Sequence, residues 1–331
     1  MSKPGPGMLN MVRLFVVIAA CADLSVVDSL AQHYPVKPIR IVVGYGAGGG
    51  ADVTARMVGQ KLSEHLGQPV VVENRLGASG SIATARVAAS PADGYTLLMA
   101  VSGDTVLPAL RAKLPYDLER DFSPVSLVTI GPYLLVVHTS VPARNARDLI
   151  TLARSRPGEL NYGSAGVGGG VHLAGELFKL MAKVNIVHVP YKGGSAESVI
   201  AVAVGQIDIS FPNITAALPL LEARKVRSLA VTSAKRASLM PSIPTLDESG
   251  LPGYDRSTWY GLLAPAGVPK VIIAQLHAVI DKVVNAPEMK ESFNKQGAEP
   301  QTNTPEQFAA LIRSELAQNA SLVKLAGLKI E

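Results

Sequence analysis

One stretch near the start of the chain constrains its fold more than any other. Residues 39–43 form a short apolar run rich in β-branched side chains, a pattern typical of a buried strand. Gly46, Gly48, Gly49 and Gly50 follow, and a helical pattern begins directly after them. Glycines permit a tight turn and a close ligand approach, and the unpaired N–H groups of a helix start attract anions. The stretch therefore predicts a strand, a turn and a helix that bind a small anion.

Two functions fit this stretch. In the first, Gly46-x-Gly48-x-x-Ala51 is a dinucleotide fingerprint, and Glu73 ends the next apolar run as the acid that binds the ribose of NAD or NADP. In the second, the loop holds a free carboxylate. A glycine-rich turn that binds nothing would show the same pattern, so the rest of the chain must decide.

Strand and helix patterns alternate in both halves of the chain. In the first half they predict strands over 39–43, 70–73 and 95–100 and helices over 52–66 and 79–89. In the second half they predict strands over 160–163, 186–190, 207–211, 227–232 and 258–263, and helices over 171–181, 196–204, 271–285 and 305–325. Such alternation is typical of parallel sheets with helices on both faces.

Two short strands, over 121–128 and 133–138, are predicted between the two series, so we place a hinge there. In parallel sheets ligands bind beyond the carboxyl ends of the strands. Small, glycine-rich loops follow the predicted strands of both halves at those ends. We therefore expect two α/β lobes whose helix starts face a shared cleft and hold an acid there.

Charge and motifs exclude several classes of function. The net charge is +5, but the basic residues are scattered without aromatic interleaving, so nucleic acid is not an expected partner. Cys21 is the only cysteine, which leaves the body of the chain without a disulfide or a cysteine metal site. The chain has no G-x-S-x-G, H-E-x-x-H or P-loop motif. We therefore expect no catalytic residues, no metal and no cofactor.

The first residues have the pattern of an export leader. Lys3 and Arg13 precede an apolar segment, and a small-x-small site before Gln32 predicts a signal peptide over residues 1–31. Ile18-Ala19-Ala20-Cys21 also resembles a lipoprotein box, which leaves open that Cys21 is lipidated. The predicted location is the periplasm.

Taken together, the chain resembles the extracytoplasmic solute-binding receptors of tripartite tricarboxylate transporters, the Bug family. The motifs that carry the resemblance include Tyr34-Pro35-x-Lys37-Pro38, Gly48-Gly49-x-x-Asp52-x-x-Ala55-Arg56, Glu73-Asn74-Arg75-x-Gly77-Ala78-x-Gly80, Asp93-Gly94-Tyr95, Ser164-x-Gly166-x-Gly168, His172-Leu173-Ala174-Gly175-Glu176, Val189-Pro190-Tyr191-Lys192-Gly193, Gly205-Gln206-Ile207-Asp208 and Trp259-Tyr260-Gly261. They run along nearly the whole mature chain. The family's first loop is usually richer in proline than the stretch Gly44 to Ala47 here.

The resemblance implies a type II periplasmic-binding-protein fold, with a first lobe over 34–132 plus 258–331 and a second over 133–257. It implies that the lobes close on a dicarboxylate, tricarboxylate, acidic amino acid or aromatic acid. It also implies that a monomeric receptor delivers this acid to the membrane permease of a tripartite transporter.

Loop position and the resemblance together give the candidate ligand-binding residues, which are Tyr45, Ala47, Gly48, Gly49, Asp52, Gly77, Ala78, Ser102, Ser164, Gly166, Gly168, His172 and Asp208. Asp52 either caps its helix or, as the resemblance implies, orders water beside the ligand. Ser102 and Ser164 either cap turns or donate hydroxyl groups to the acid. His172 either orients its loop or contacts the ligand. Asp208 is expected to anchor the cleft loops and not to touch the anion.

Overall fold

The structure, a computed structural model, describes residues 34–325, 327 and 328. The predicted leader and Cys21 lie outside these residues. The strands are β1 (Ile39–Val43), β2 (Val70–Asn74), β3 (Thr96–Val101), β4 (Phe122–Pro132), β5 (Leu134–His138), β6 (Asn161–Ser164), β7 (Val187–Pro190), β8 (Ile209–Ser210), β9 (Val226–Val231), β10 (Ser257–Pro265) and β11 (Glu299–Pro300). The helices are α1 (Gly50–Leu66), α2 (Ser81–Ala88), α3 (Leu107–Leu110), α4 (Ala146–Ser155), α5 (Gly170–Ala182), α6 (Ser195–Ala203), α7 (Ile214–Glu222), α8 (Lys270–Asn285), α9 (Pro287–Lys295) and α10 (Pro305–Leu325).

The strands form two separate sheets, which confirms the predicted α/β class. The first sheet has the order β2-β1-β3-β10-β4-β11, and the second has the order β7-β6-β8-β5-β9. In the first sheet β1 runs parallel to β2 and β3, and β10 lies antiparallel between β3 and β4. In the second sheet β6 runs parallel to β7 and β8, and β5 lies antiparallel between β8 and β9. Each sheet therefore has a parallel part whose carboxyl ends can carry a site.

Strand β1 is buried on both faces of its sheet. Ile41 and Val43 pack in one apolar core with α1 and α8, whereas Val42 packs in another with α2 and α10. Burial on both faces explains why this strand is a continuous apolar run instead of an alternating one. Burying each of these side chains contributes about 1.5–3 kcal/mol to stability.

Helix α1 follows directly from the glycine-rich loop. Ala51, Ala55, Val58 and Leu62 recur at helical spacing and are buried against the sheet. The helix ends at Gly67, which adopts a left-handed φ of 66° and returns its N–H to the Ser63 carbonyl. The core thus fixes the direction in which the helix start points.

The helix predicted over 79–89 begins later than expected. Ala78 and Ser79 have positive φ values of 49° and 54°, and Gly80 has 91°. These residues form a short 3₁₀ turn, Ala78–Gly80, before α2 starts at Ser81. Left-handed backbone cannot belong to a right-handed α-helix, so the predicted helix start at residue 79 was wrong.

The predicted hinge region also differs in detail. Phe122 to Pro132 is one strand of 11 residues, because it pairs along its length with β10. Tyr133 alone separates it from β5, so the chain passes from one sheet to the other at this residue. A second crossing lies between β9 and β10, where Thr232 exchanges hydrogen bonds with Tyr133 and accepts one from the Arg256 N–H. The two crossings are therefore tied together.

None of the helices in the described part of the chain is long and apolar enough to cross a bilayer.

Candidate functional site

The two halves of the chain meet at the carboxyl ends of their parallel strands. The Ser79 hydroxyl, from the loop after β2, donates to the Val167 carbonyl, from the loop after β6, at 2.9 Å. The loop after β1 lies against the loop after β7, so close that a Cβ built at Gly46 would stand 2.8 Å from the Gly193 carbonyl oxygen. The loops from both sheets therefore enclose one cleft, and Gly46 is needed where two backbones touch.

A cavity of about 40 Å³ lies inside this cleft. We call it the inner cavity. Its lining residues are Tyr45, Ala51, Val101, Tyr133, Ala165, Gly170, Val171, Ser195, Asn213, Thr258 and Tyr260. None of these residues carries a charged side chain, so an anion here would have to be held by hydrogen-bond donors and helix ends.

Three helices begin at the wall of the inner cavity. Helices α1, α5 and α6 have Gly49, Gly169 and Gly194 as N-cap residues, and no side chain caps any of them. The first N–H groups of a helix have no partner within it and carry partial positive charge. Glycine caps leave those N–H groups available. Helix α1 follows a strand of the first sheet, whereas α5 and α6 follow strands of the second. Donors from both halves therefore converge on one small volume.

Hydroxyl and amide side chains complete the wall where the chain crosses between the sheets. Asn213 caps α7 by accepting from the Ala216 N–H at 2.9 Å, and its amide nitrogen donates to the Tyr260 hydroxyl at 3.0 Å. Thr258 accepts from the Ser102 hydroxyl at 3.2 Å. These neutral groups can donate to an acid without the charge of an arginine or lysine.

One carboxylate lies directly behind the cavity wall. Asp104 is 2% exposed and accepts from the Val101 N–H at 2.9 Å and from the Tyr45 hydroxyl at 3.4 Å. Burial raises the pKa of the Asp104 carboxyl to about 7, and these two hydrogen bonds oppose the rise only in part. Since Val101 and Tyr45 both line the cavity, the charge of Asp104 must affect any anion bound there.

Asp52 is buried but does not line the cavity. Its carboxylate accepts from the Gly48 N–H at 3.0 Å, from the Asn74 amide at 2.9 Å and from Arg56. Burial alone would raise the pKa of Asp52, but the bonds from Arg56, Asn74 and Gly48 outweigh burial and leave it lowered. Asp52 therefore ties together the loop after β1, helix α1 and the end of β2.

The histidine predicted beside the second-lobe loop also acts on that loop. His172 is 4% exposed and accepts from the Gly168 N–H at 3.3 Å. Its ring lies 4.4 Å from the ring of His188, and Nε2 of His188 contacts the Ser164 hydroxyl. Ser164 in turn accepts from the Gly166 N–H. Ser164, Gly166, Gly168 and His172 thus form one connected group that shapes the wall, although none of them lines the cavity.

The remaining predicted residues fall in three places. Tyr45 lines the inner cavity, and Ser102 contacts Thr258 from behind it. Ala47, Gly48, Gly49, Gly77 and Ala78 belong to the two loops of the first half that border the cleft, where Gly48 has a left-handed φ of 77°. Asp208 lies at the opposite end of the second sheet, where it exchanges hydrogen bonds with Asn161 at the amino end of β6. We therefore remove Asp208 from the proposed site, since the cleft is at the carboxyl end of β6.

Five lining residues with polar groups were not predicted from the sequence. They are Tyr133, Ser195, Asn213, Thr258 and Tyr260. Asn213 had a readable signal, because an asparagine between a strand and a helical pattern is a typical N-cap. Thr258 and Tyr260 lie on β10, and its register with β4, far away in sequence, brings them to the cleft. Tyr133 reaches the cleft because it lies at the crossing between β4 and β5.

The dinucleotide alternative finds no support in this geometry. Gly46 faces the Gly193 backbone at a distance that excludes a pyrophosphate between them. Glu73 pairs with Arg75 at 2.6 Å and with Arg40 at 3.4 Å. Gly46 is therefore occupied by packing against another loop, and Glu73 by two ion pairs.

Comparisons with known proteins agree with a receptor. The chain matches the model of the tripartite tricarboxylate transporter family receptor over residues 54–328. It is 35% identical to protein BugT of Bordetella pertussis over 328 residues, which is 98% of this chain and 100% of that protein. A structure of an R. palustris protein with adipate is 38% identical, with a TM-score of 0.87, over 89% of this chain and 99% of that one. MatC from Rhodopseudomonas palustris with bound malate is 31% identical, with a TM-score of 0.83, over 88% of this chain and 100% of that one.

Proposed function

Because the chain belongs to the tripartite tricarboxylate transporter family of receptors, we propose that it captures a small organic acid anion and delivers it to a membrane permease. Solute-binding receptors of this family are periplasmic. The receptor role requires a site that closes around a solute and reopens, and the cleft between the two sheets has that form. We propose no catalytic role for any residue of the cleft.

One observation carries the proposal for the ligand class. Uncapped starts of α1, α5 and α6 converge from both sheets on a cavity whose lining residues have no charged side chain. Each helix end contributes about 0.3–1 kcal/mol towards an anion when exposed, and more when closure excludes water. Several such ends are needed to hold one carboxylate, which is the arrangement seen here.

The related structures narrow the class further. The R. palustris protein was determined with adipate and MatC with malate, and both ligands are dicarboxylates. We propose that this chain binds a carboxylate of similar size, such as a dicarboxylate, a tricarboxylate, an acidic amino acid or an aromatic acid.

Closure is proposed to move two lobes, residues 34–132 with 258–331 and residues 133–257. Sheet membership supports this division, because β5 to β9 form the second sheet and the other strands form the first. The hinge then consists of the crossings at Tyr133 and between Thr232 and Arg256, which are hydrogen-bonded to one another. The receptor is proposed to act as a monomer.

Export is proposed from the leader pattern alone. Mass spectrometry of the mature N-terminus distinguishes cleavage before Gln32 from a lipid anchor at Cys21.

The proposal is tested by isothermal titration of the purified protein with a panel of organic acids. In a separate unfolding measurement, a ligand present at about 100 times its Kd should raise the free energy of unfolding by about 2.7 kcal/mol. Native mass spectrometry of protein purified from its own periplasm would weigh an acid that remains bound. Failure of every acid to bind would overturn the proposal, and micromolar binding of NAD or NADP would favour the dinucleotide alternative instead.

A further inference from the structure

A second opening adjoins the inner cavity at the junction of the two sheets. It has a volume of about 310 Å³, and we call it the outer crevice. Ser79 and Arg111 line it from the first half of the chain, and Ala165, Gly166 and Lys192 are among the residues that line it from the second. The crevice therefore exists only where the two halves approach each other.

Both cations of the outer crevice lack a carboxylate partner. Among the ion pairs of residues 34–325, 327 and 328, none involves Arg111 or Lys192. Arg111 follows α3 and Lys192 follows β7, so each half contributes one positive charge. Like charges brought together by closure repel each other. An anion between them would remove that repulsion and favour the closed form.

The outer crevice and the inner cavity share part of their lining. Ala165 lines both of them. Tyr45 lines the cavity, and its hydroxyl donates to the carbonyl of Ser79, a crevice residue, at 3.1 Å. The two openings therefore lie side by side at the junction of the two sheets.

The geometry points to the outer crevice as a second anion subsite that takes the far carboxylate of a dicarboxylate. Arg111 and Lys192 are its specificity residues. This inference rests on the proposed carboxylate-binding function and deepens it. The inner cavity selects for one carboxylate through neutral donors, and the crevice selects for a second through two cations, so a diacid is preferred over a monoacid of equal length.

The test compares diacids with monoacids of the same chain length, from three to seven carbons, by isothermal titration. Wild-type protein should prefer the diacid only when its chain is long enough to reach from the cavity to the crevice. Arg111→Gln and Lys192→Gln should each weaken diacid binding about three- to fivefold, as expected for a partly exposed ion pair, and leave the monoacid unchanged. Lys113→Gln is the matched control, because Lys113 is exposed in the same segment as Arg111 but does not line the crevice. The control should bind both acids as the wild type does.

Ionic strength gives a second readout. The preference for the diacid should shrink as sodium chloride is raised, because exposed charges are screened within about 8 Å at 0.15 M salt. Equal binding of monoacid and diacid by the wild type, or an equal loss of both acids in the variants, would overturn the second subsite and leave carboxylate binding intact. Failure of the wild type to bind any acid would overturn both.

Discussion

Replacing Gly46 by alanine tests how closely the two halves must approach when the cleft closes. The added methyl group would stand 2.8 Å from the Gly193 carbonyl oxygen and 3.2 Å from the Gly193 Cα, whereas ordinary contact begins at 3.4 Å. Gly46 does not have a left-handed φ, so alanine causes no strain within its own loop. The effect should therefore fall on closure and not on folding.

The structure sets the size of this effect. To reach ordinary contact the halves must part by about 0.6 Å at this point. A rigid separation of that size would stretch the 2.9 Å hydrogen bond from Ser79 to Val167 to about 3.5 Å, beyond good geometry. Losing one hydrogen bond costs about 0.5–1.5 kcal/mol, and a gap of this size forfeits a quarter to a half of the local dispersion energy. A total of about 1–2 kcal/mol weakens ligand binding about five- to thirtyfold.

Isothermal titration with the tightest acid measures this loss, and urea denaturation without ligand measures stability. Gly59→Ala is the matched control, because its Cβ would meet Val70 at an ordinary 3.4 Å inside the first half. The control should keep its affinity and gain about 0.5–1 kcal/mol of stability, since alanine is the better helix former. Wild-type affinity in Gly46→Ala would show that the two loops need not touch when the cleft closes.

Three further predictions concern charge. Asp52→Ala should lower the free energy of unfolding by about 2–3 kcal/mol in urea denaturation, because buried donors lose a charged acceptor, and it should weaken acid binding in titration by loosening the first loop. Acid affinity of the wild type should fall as pH rises through about 7, since ionised Asp104 repels the ligand across Tyr45, and Asp104→Asn should flatten this profile. Burial and His172 lower the pKa of His188 to about 4 from 6.5, so the unfolded chain binds more protons between these values and stability is lost as pH falls from about 6.5 to about 4. Thermal unfolding across that range should show that the free energy of unfolding falls by roughly 2 kcal/mol. This is less than the full shift of the His188 pKa corresponds to, because the imidazole keeps part of its surface in water. His188→Gln should reduce this fall.

Each of these has a contrary result. Unchanged affinity in Asp52→Ala would mean that the first loop is held without its carboxylate. If the acid affinity of Asp104→Asn still fell as pH rises through about 7, a group other than Asp104 would cause the pH dependence. Equal acid sensitivity of His188→Gln and wild type would remove the buried imidazole as its cause.

Elements with strong local signals could be predicted closely. The apolar run of β1 was placed at its observed bounds, 39–43, and α10 at 305–325. Helix α4 was missed although Asn145 caps it through a bond to the Asp148 N–H, a local signal that was overlooked. The start of α2 could not be found from periodicity, since the left-handed Ala78 and Ser79 carry no sequence mark that separates them from helix.

The site was predictable in kind but not in its lining residues. Glycine-rich loops at strand ends predicted the edge of the sheets at which the cleft lies, and Tyr45 was the one proposed residue that lines the cavity. Asp52 and His172 were proposed as site residues, and each is hydrogen-bonded to its own loop. Asp208 lies away from the cleft because it directly precedes β8, which runs parallel to β6, and therefore lies at the amino end of both strands. Tyr260 and Asn213 meet only through the tertiary fold.

The most direct test of the account follows the backbone amides themselves. In a ¹⁵N-labelled sample titrated with a bound acid, the N–H resonances of Ala51, Gly170 and Ser195 should shift together and saturate at one Kd, since one ligand contacts helix starts from both halves. Shifts confined to one half of the chain, or movement only of charged side chains, would contradict the claim that opposed helix starts hold the acid.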